Sequence, residues 1–167
     1  NTRGIAILPE RQAEFKQGFE LALRYADALN CPRIHVMAGL IHQGANRKTF
    51  VSNLRKAARM ADGEGVKIII EPLNLRDNPC YLLSTLEEGR AIIYEVGEKN
   101  LGLQFDLYHR QIMEGDVAMA IRESPSYWRQ QRCGCLDGHK AGGLLERNRK
   151  LMAQKRNQRV DDAKRGC

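Results

Sequence analysis

The segment Lys67-Ile-Ile-Ile-Glu-Pro-Leu-Asn74 joins a short apolar run to an acidic residue and a proline. The amphipathic stretch before it ends at Gly63 and Gly65, as helices commonly do. Three consecutive β-branched residues then favour extended backbone. We therefore predict a strand over residues 66–71 that ends at Glu71.

Amphipathic helices and strands alternate on both sides of this strand. Apolar residues recur every three or four positions before each strand, which is typical of helices with one buried face. Ser84 and Glu87 have the spacing of a capping box at the start of the third helix, and Gly97 closes it. The predicted helices span residues 9–29, 49–63 and 84–97, and the predicted strands span residues 34–38, 66–71 and 101–106.

The spacing of the predicted strands indicates how they are connected. Their last residues, Ala38, Glu71 and Asp106, are 33 and 35 residues apart, which is the length of one strand and one helix. Such alternation predicts an α/β fold with a parallel sheet and right-handed crossovers. The sheet is either doubly wound or part of a (β/α)8 TIM barrel.

Charge divides the 167 residues into two parts. Residues 1–124 hold 16 Lys and Arg against 16 Asp and Glu, whereas residues 125–167 hold 11 against 4, a net charge of +7. The strand and helix pattern stops at the same place, so we predict an α/β domain over 1–124 and a basic irregular or helical tail over 125–167. The neutral first part argues against a nucleic-acid partner.

The lengths of the apolar runs and the number of cysteines indicate the cellular compartment. Every apolar run is far shorter than the roughly 20 residues that span a bilayer, and no leader precedes the first helix, so we expect no membrane partner. Five cysteines are an odd number, which favours free thiols in a reducing compartment. We expect a cytoplasmic protein.

Two carboxylates fall at the ends of consecutive predicted strands. Ligands of parallel α/β sheets bind at that edge, and strands about 4.8 Å apart would let Glu71 and Asp106 reach one cation. Carboxylate oxygens prefer Mg²⁺ or Mn²⁺ to Zn²⁺. The alternative is structural, because acidic residues at strand ends also cap helices or pair with basic side chains.

Several segments, in the same order along the chain, strongly resemble the hydroxypyruvate isomerase family. That family belongs to the xylose isomerase-like TIM barrels and is close to the 2-oxo-tetronate isomerases. The resemblance runs from Arg3 to Glu123. The segments that carry it are Arg3-Gly-Ile-Ala-Ile-Leu-Pro-Glu-Arg11, Leu23-Arg-Tyr-Ala-Asp-Ala-Leu-Asn-Cys31, His35-Val-Met-Ala-Gly39, Asn53-Leu-Arg-Lys-Ala-Ala58, Ile70-Glu-Pro-Leu-Asn74 and Gln104-Phe-Asp-Leu-Tyr-His-Arg-Gln-Ile-Met-Glu-Gly115.

The resemblance implies an isomerase that interconverts hydroxypyruvate and tartronate semialdehyde, with a 2-oxo-tetronate as the alternative substrate. Glu71 matches the catalytic acid/base and a proposed metal ligand, Asp106 matches a second ligand, and His109 matches a histidine that meets the substrate. Asn74 and Arg76 follow Glu71 and could bind the substrate, although Asn74 is equally suited to a turn. The implied cofactor is Mg²⁺ or Mn²⁺, and a homo-oligomer is left open.

The chain also departs from the family pattern. A full (β/α)8 barrel has roughly 250 residues and eight units, so three strands cannot close it, and the resemblance implies a partial TIM-barrel isomerase domain over 1–124. The family's remaining two metal ligands would follow the helix near Gln111, and residues 125–167 contain no matching strand. The competing hypothesis is therefore a non-catalytic barrel fragment that acts, if at all, by association with another chain or with polyanions.

Other residue clusters favour structural roles. The spacing of Cys133, Cys135 and His139 fits no strong zinc pattern. Tyr127 and Trp128 stand beside arginines, but one aromatic pair is more typical of local packing than of a nucleic-acid platform. We predict that His35, within a strand, is a packed core or barrel-interior residue.

Overall fold

The computed structural model describes residues 3–41 and 44–123. These residues form a three-stranded parallel sheet with helical crossovers, as the strand spacing predicted. The helices are α1 (Gln12–Ala28), α2 (Arg47–Asp62), α3 (Leu86–Val96), α4 (Leu107–Met113) and α5 (Val117–Glu123), and the strands are β1 (Arg33–His35), β2 (Lys67–Ile70) and β3 (Leu101–Leu103). A 3-10 turn, Pro9–Arg11, precedes α1.

The strands pair in the order β1, β2, β3, with β2 in the centre. Ile68 lies opposite Ile34 on one side and Leu101 on the other, so the isoleucine run is the middle of the sheet. Ile68 and Ile70 are fully buried. Since neighbouring parallel strands end at the same edge of a sheet, the residues that follow β2 and β3 meet there.

Helices α2 and α3 cover the sheet with their apolar faces. Phe50, Leu54 and Ala58 of α2 have no exposed surface. Gly89 allows α3 to approach β3 closely, because a Cβ atom at this position would lie 2.4 Å from Leu103 Cδ1. The described helices are too short or too polar to cross a membrane.

The third helix begins one residue later than its sequence predicted. Thr85 is the N-cap, its side chain accepts from the Glu88 backbone N–H, and Glu88 completes the capping box. The predicted pair Ser84 and Glu87 was therefore wrong by one position. Ser84 instead donates its backbone N–H and its hydroxyl to the same Glu88 carboxylate. Gly97 ends the helix in the left-handed conformation, as predicted.

The third strand is shorter than predicted. It ends at Leu103, although the Gln104 N–H still donates to the Ile70 carbonyl at 2.8 Å. Asp106 is not the last residue of a strand but the N-cap of α4. A short polar side chain accepts helix N–H groups well, and this local bonding ends the extended backbone.

Candidate active site

Glu71 directly follows β2, and Asp106 lies three residues beyond β3 at the same edge of the sheet. Glu71 is 8% exposed, and Asp106 is half-buried. The Asp106 Oδ1 atom accepts the backbone N–H groups of Tyr108 at 2.7 Å and His109 at 3.1 Å. Asp106 therefore has the helix-capping role that was the structural alternative, and both of these hydrogen bonds use its Oδ1 atom.

The fold brings Glu71, Asp106 and His109 together. One potential ligand atom from each side chain lies within 4.8 Å of the others. Among the described residues, this is the group of acidic and histidine side chains that could hold a metal ion. Two of its members are the carboxylates that the strand spacing singled out, and the third comes from the first turn of α4.

The surroundings of Glu71 disfavour its charged form. Burial raises the pKa of the Glu71 carboxyl, and the neighbouring Asp106 carboxylate raises it further. The Gln104 side chain opposes both effects by donating to Glu71 Oε1 at 2.9 Å. Glu71 is therefore a buried carboxyl beside a like charge, which makes it a stronger base when it is ionised.

His35 lies on the other side of Glu71. Its Nε2 atom is 3.8 Å from Glu71 Oε2, and its side chain is 31% exposed. Burial lowers the pKa of the imidazole, which favours the neutral form over an ion pair with Glu71. The prediction was a packed core or barrel-interior residue; the partly exposed ring contradicts a packed core and lies at the edge of the acidic cluster.

Asn74 connects the loop after β2 to His109. The Asn74 backbone N–H donates to His109 Nδ1 at 3.1 Å, and its side-chain Nδ2 lies 2.7 Å from the same ring atom. Asn74 Oδ1 accepts the Asp77 N–H at 2.8 Å, which closes a turn. Asn74 has no exposed surface, so its polar atoms are engaged within the chain.

Arg76 lies at the outer rim of this loop. Its guanidinium donates to Tyr108 Oη at 3.3 Å and lies 3.7 Å from Asp77 Oδ1. Its side chain is 64% exposed, which leaves it free to meet an anionic group from solvent. Tyr108 in turn donates to Asp77 Oδ2 at 2.5 Å, so the loop after β2 and the start of α4 are joined by side chains.

Sequence analysis did not single out Gln104, Asp77 or Tyr108 as site residues. Gln104 follows β3 as Glu71 follows β2, and the register Ile70 to Leu103 would have placed the two side by side. Asp77 and Tyr108 lie in loops, where no periodicity predicts contacts. The cysteine and histidine group at 133–139, the aromatic pair at 127–128 and the tail over 125–167 lie outside the described residues.

Comparison with known proteins agrees with this geometry. The family model described as a xylose isomerase-like TIM barrel matches residues 3–134. The chain belongs to this family. It is 49% identical over 124 residues to the 2-oxo-tetronate isomerase of Cupriavidus necator, covering 72% of this chain and 48% of that protein. It is 40% identical over 125 residues to the hydroxypyruvate isomerase of Escherichia coli, with the same coverage.

Two solved structures extend the comparison. A Brucella melitensis protein titled AP endonuclease, family 2, is 36% identical with a TM-score of 0.70 over 74% of this chain and 49% of that one. The D-psicose 3-epimerase of Clostridium cellulolyticum is 24% identical with a TM-score of 0.62, which shows a shared fold. The resemblance to hydroxypyruvate isomerases and 2-oxo-tetronate isomerases is thus confirmed, and the chain spans about half the length of the curated relatives it matches.

Proposed function

We propose that this chain carries the acid/base half of a sugar-acid isomerase site. The observation that carries the proposal is the buried Glu71 carboxyl, whose pKa is raised beside Asp106 and His109. Aldose and ketose forms interconvert when a proton leaves one carbon and returns to its neighbour. A carboxyl with a raised pKa is suited to both transfers, since it accepts a proton more strongly than an ordinary carboxylate and can return it.

The three residues divide the work by their chemistry. Glu71 would move the proton. Asp106 accepts two backbone N–H groups through Oδ1, and its other oxygen remains for a ligand. His109 would hold an oxygen of the substrate. Arg76, exposed at the rim, suits the carboxylate of a hydroxy-keto acid.

The oxygen-rich pair also fits a divalent cation. Two carboxylates within 4.8 Å repel each other unless a positive charge or a proton lies between them. Glu71 and Asp106 would hold Mg²⁺ or Mn²⁺, whose charge would acidify the carbon next to the bound substrate oxygens. Gln104 fixes one oxygen of Glu71 by its hydrogen bond and thereby orients the carboxylate.

The proposed substrate is hydroxypyruvate, which would be converted to tartronate semialdehyde. The second candidate is a 2-oxo-tetronate, because relatives of both names match the chain at 40% and 49% identity. Both are small hydroxy-keto acids, so the chemistry at Glu71 is the same. The ratio of kcat/KM for the two substrates would distinguish them.

The test is an isomerase assay on the full chain with Mg²⁺ or Mn²⁺. Glu71→Gln should lower the rate by about 10²–10⁴-fold, the usual contribution of a general acid/base. Glu64→Gln is the matched control, because Glu64 is an exposed glutamate after α2. An unchanged rate in Glu71→Gln would remove Glu71 from the mechanism.

A third candidate is a non-catalytic barrel domain that acts through association with another chain or with polyanions, and the net charge of +7 over residues 125–167 supports it. Calorimetric titration with Mn²⁺ separates this candidate from the enzyme. A single site that weakens in both Glu71→Gln and Asp106→Asn supports the isomerase site. No heat of binding, together with no turnover, would favour the fragment.

A further inference from the structure

The hydrogen bonds around His109 fix more than the position of its ring. The backbone N–H of Asn74 points at Nδ1 from 3.1 Å, and the side-chain Nδ2 of Asn74 approaches the same atom at 2.7 Å. A backbone N–H can only donate. Nδ1 must therefore present its lone pair, and the proton of a neutral ring must be on Nε2.

The orientation of the Asn74 amide is set independently of His109. Its Oδ1 atom accepts the backbone N–H of Asp77 at 2.8 Å, so the opposite end of the amide is the NH₂ group. That group also donates to Asp77 Oδ2 at 3.0 Å. Tyr108 donates to the same carboxylate oxygen and holds it in place. Both the backbone and the side chain of Asn74 thus face Nδ1 as donors.

We propose that Asn74 is a positioning residue that holds His109 as the tautomer with its proton on Nε2, so that the ring offers the site a hydrogen-bond donor. The use of that donor in turnover rests on the proposed isomerase function. The partner it selects is an oxygen with a free lone pair, such as the carbonyl or hydroxyl oxygen of a hydroxy-keto acid. Asn74 itself acts through His109 and not by direct contact with the substrate.

The same bonds bear on metal binding. A histidine ligates a cation through a nitrogen lone pair. In this arrangement, Nδ1 already accepts from Asn74, and Nε2 carries the proton. His109 therefore lies within 4.8 Å of two carboxylate oxygens without serving as a third ligand. Among the described residues, Glu71 and Asp106 are therefore the two side chains that would ligate the cation.

The direct test is the ¹⁵N NMR spectrum of histidine-labelled full chain at pH 8, where an ordinary imidazole is neutral. Two-bond ¹H–¹⁵N correlations show which ring nitrogen carries the proton, and loss of one pattern in His109→Gln assigns it. We expect Nε2 protonated and Nδ1 bare for His109. A proton on Nδ1, alone or together with one on Nε2, would overturn the inference.

A pair of matched variants tests the role of Asn74. Asn74→Asp replaces the side-chain donor near Nδ1 with a carboxylate oxygen but keeps the backbone N–H, so the two groups now oppose each other and the fraction of His109 with a proton on Nδ1 should rise. Asn78→Asp makes the same change in the same turn, where the side chain contacts Arg3 and the Asn74 carbonyl but not His109. The control should keep the wild-type tautomer. The same tautomer ratio in folded Asn74→Asp as in the wild-type chain would contradict the positioning role of the Asn74 side chain. If that variant does not fold, the wild-type spectrum tests the proposal alone.

Failure of this inference and failure of the proposed function give different results. If the chain shows no isomerase activity while Nδ1 is bare, the tautomer stands and the proposed function falls. If the chain is active while Nδ1 is protonated, only the role of Asn74 falls. Mn²⁺ affinity adds a second readout. It should change less than threefold in His109→Gln, whereas a loss as large as that in Asp106→Asn would make His109 a ligand and overturn the inference.

Discussion

The repulsion between Glu71 and Asp106 can be measured directly by removing one charge at a time. Their oxygens lie within 4.8 Å of each other. At 4.8 Å, Coulomb's law gives about 0.9 kcal/mol with the dielectric constant of water and about 3.5 kcal/mol with the value of roughly 20 that suits protein sites. Glu71 is buried and Asp106 half-buried, so we expect roughly 1–3 kcal/mol.

Asp106→Asn removes the charge and keeps the helix cap, because Asn caps helices about as well as Asp. In a metal chelator at pH 8, the free energy of unfolding should rise. The gain is reduced by about 0.3–1 kcal/mol for the lost interaction of Asp106 with the N-terminus of α4. In a Glu71→Gln background, the same substitution should give no gain, since the repulsion is already absent.

The assay is urea unfolding of the wild-type chain, the two single variants and the double variant. The coupling free energy of this cycle should be about 1–3 kcal/mol in the direction of repulsion. Asp116→Asn is the matched control, because Asp116 also accepts a helix N–H, from Met119 at 3.4 Å. Equal effects of Asp106→Asn in both backgrounds would refute the shared site.

Three further predictions follow from the described residues. Without metal, the free energy of unfolding should fall as the pH rises from the unfolded pKa of Glu71 through its raised folded pKa, because the folded state holds this proton more tightly. A series of thermal melts at different pH values measures this fall, and Glu71→Gln should remove it. Gly89→Ala should destabilise the chain by about 1–3 kcal/mol in urea unfolding, because the added Cβ would contact Leu103. Gly18→Ala should stabilise it by up to about 1 kcal/mol, because nothing lies within 4 Å of a Cβ added at this position in α1. Stabilisation by both variants would contradict the close packing of α3 on β3. Tyr81→Phe should lower the free energy of unfolding by about 1–3 kcal/mol, because the buried Ala38 N–H loses its acceptor, the Tyr81 hydroxyl at 2.8 Å. Ultraviolet titration should find the pKa of Tyr81 at about 12, and an ordinary tyrosine pKa would contradict its burial.

The sequence was most informative where the chemistry is local. The isoleucine run and the glycines that follow the helices predicted the central strand, with Glu71 after it, and the ends of the helices, because β-branched residues and left-handed glycines act within a few residues. It also placed Asp106 one unit later. The predicted start of α3 was one residue early, because Ser84 with Glu87 and Thr85 with Glu88 both have the spacing of a capping box and the structure uses the second pair.

The contacts that define the site were harder to predict because they join distant parts of the chain. Asn74 and His109 are 35 residues apart, and the contact depends on a turn that no periodicity reveals. His35 approaches Glu71 because β1 and β2 are neighbours with a set register. The raised pKa of Glu71 likewise results from its burial and from the nearby charge of Asp106, so it could not be inferred from residue type.

The central claim is that Glu71 and Asp106 form one divalent cation site. Its most direct test is calorimetric titration of Mn²⁺ into the full chain, Glu71→Gln and Asp106→Asn at pH 8. We predict a single site that weakens at least tenfold in each variant. Equal Mn²⁺ affinity in all three proteins would contradict the claim.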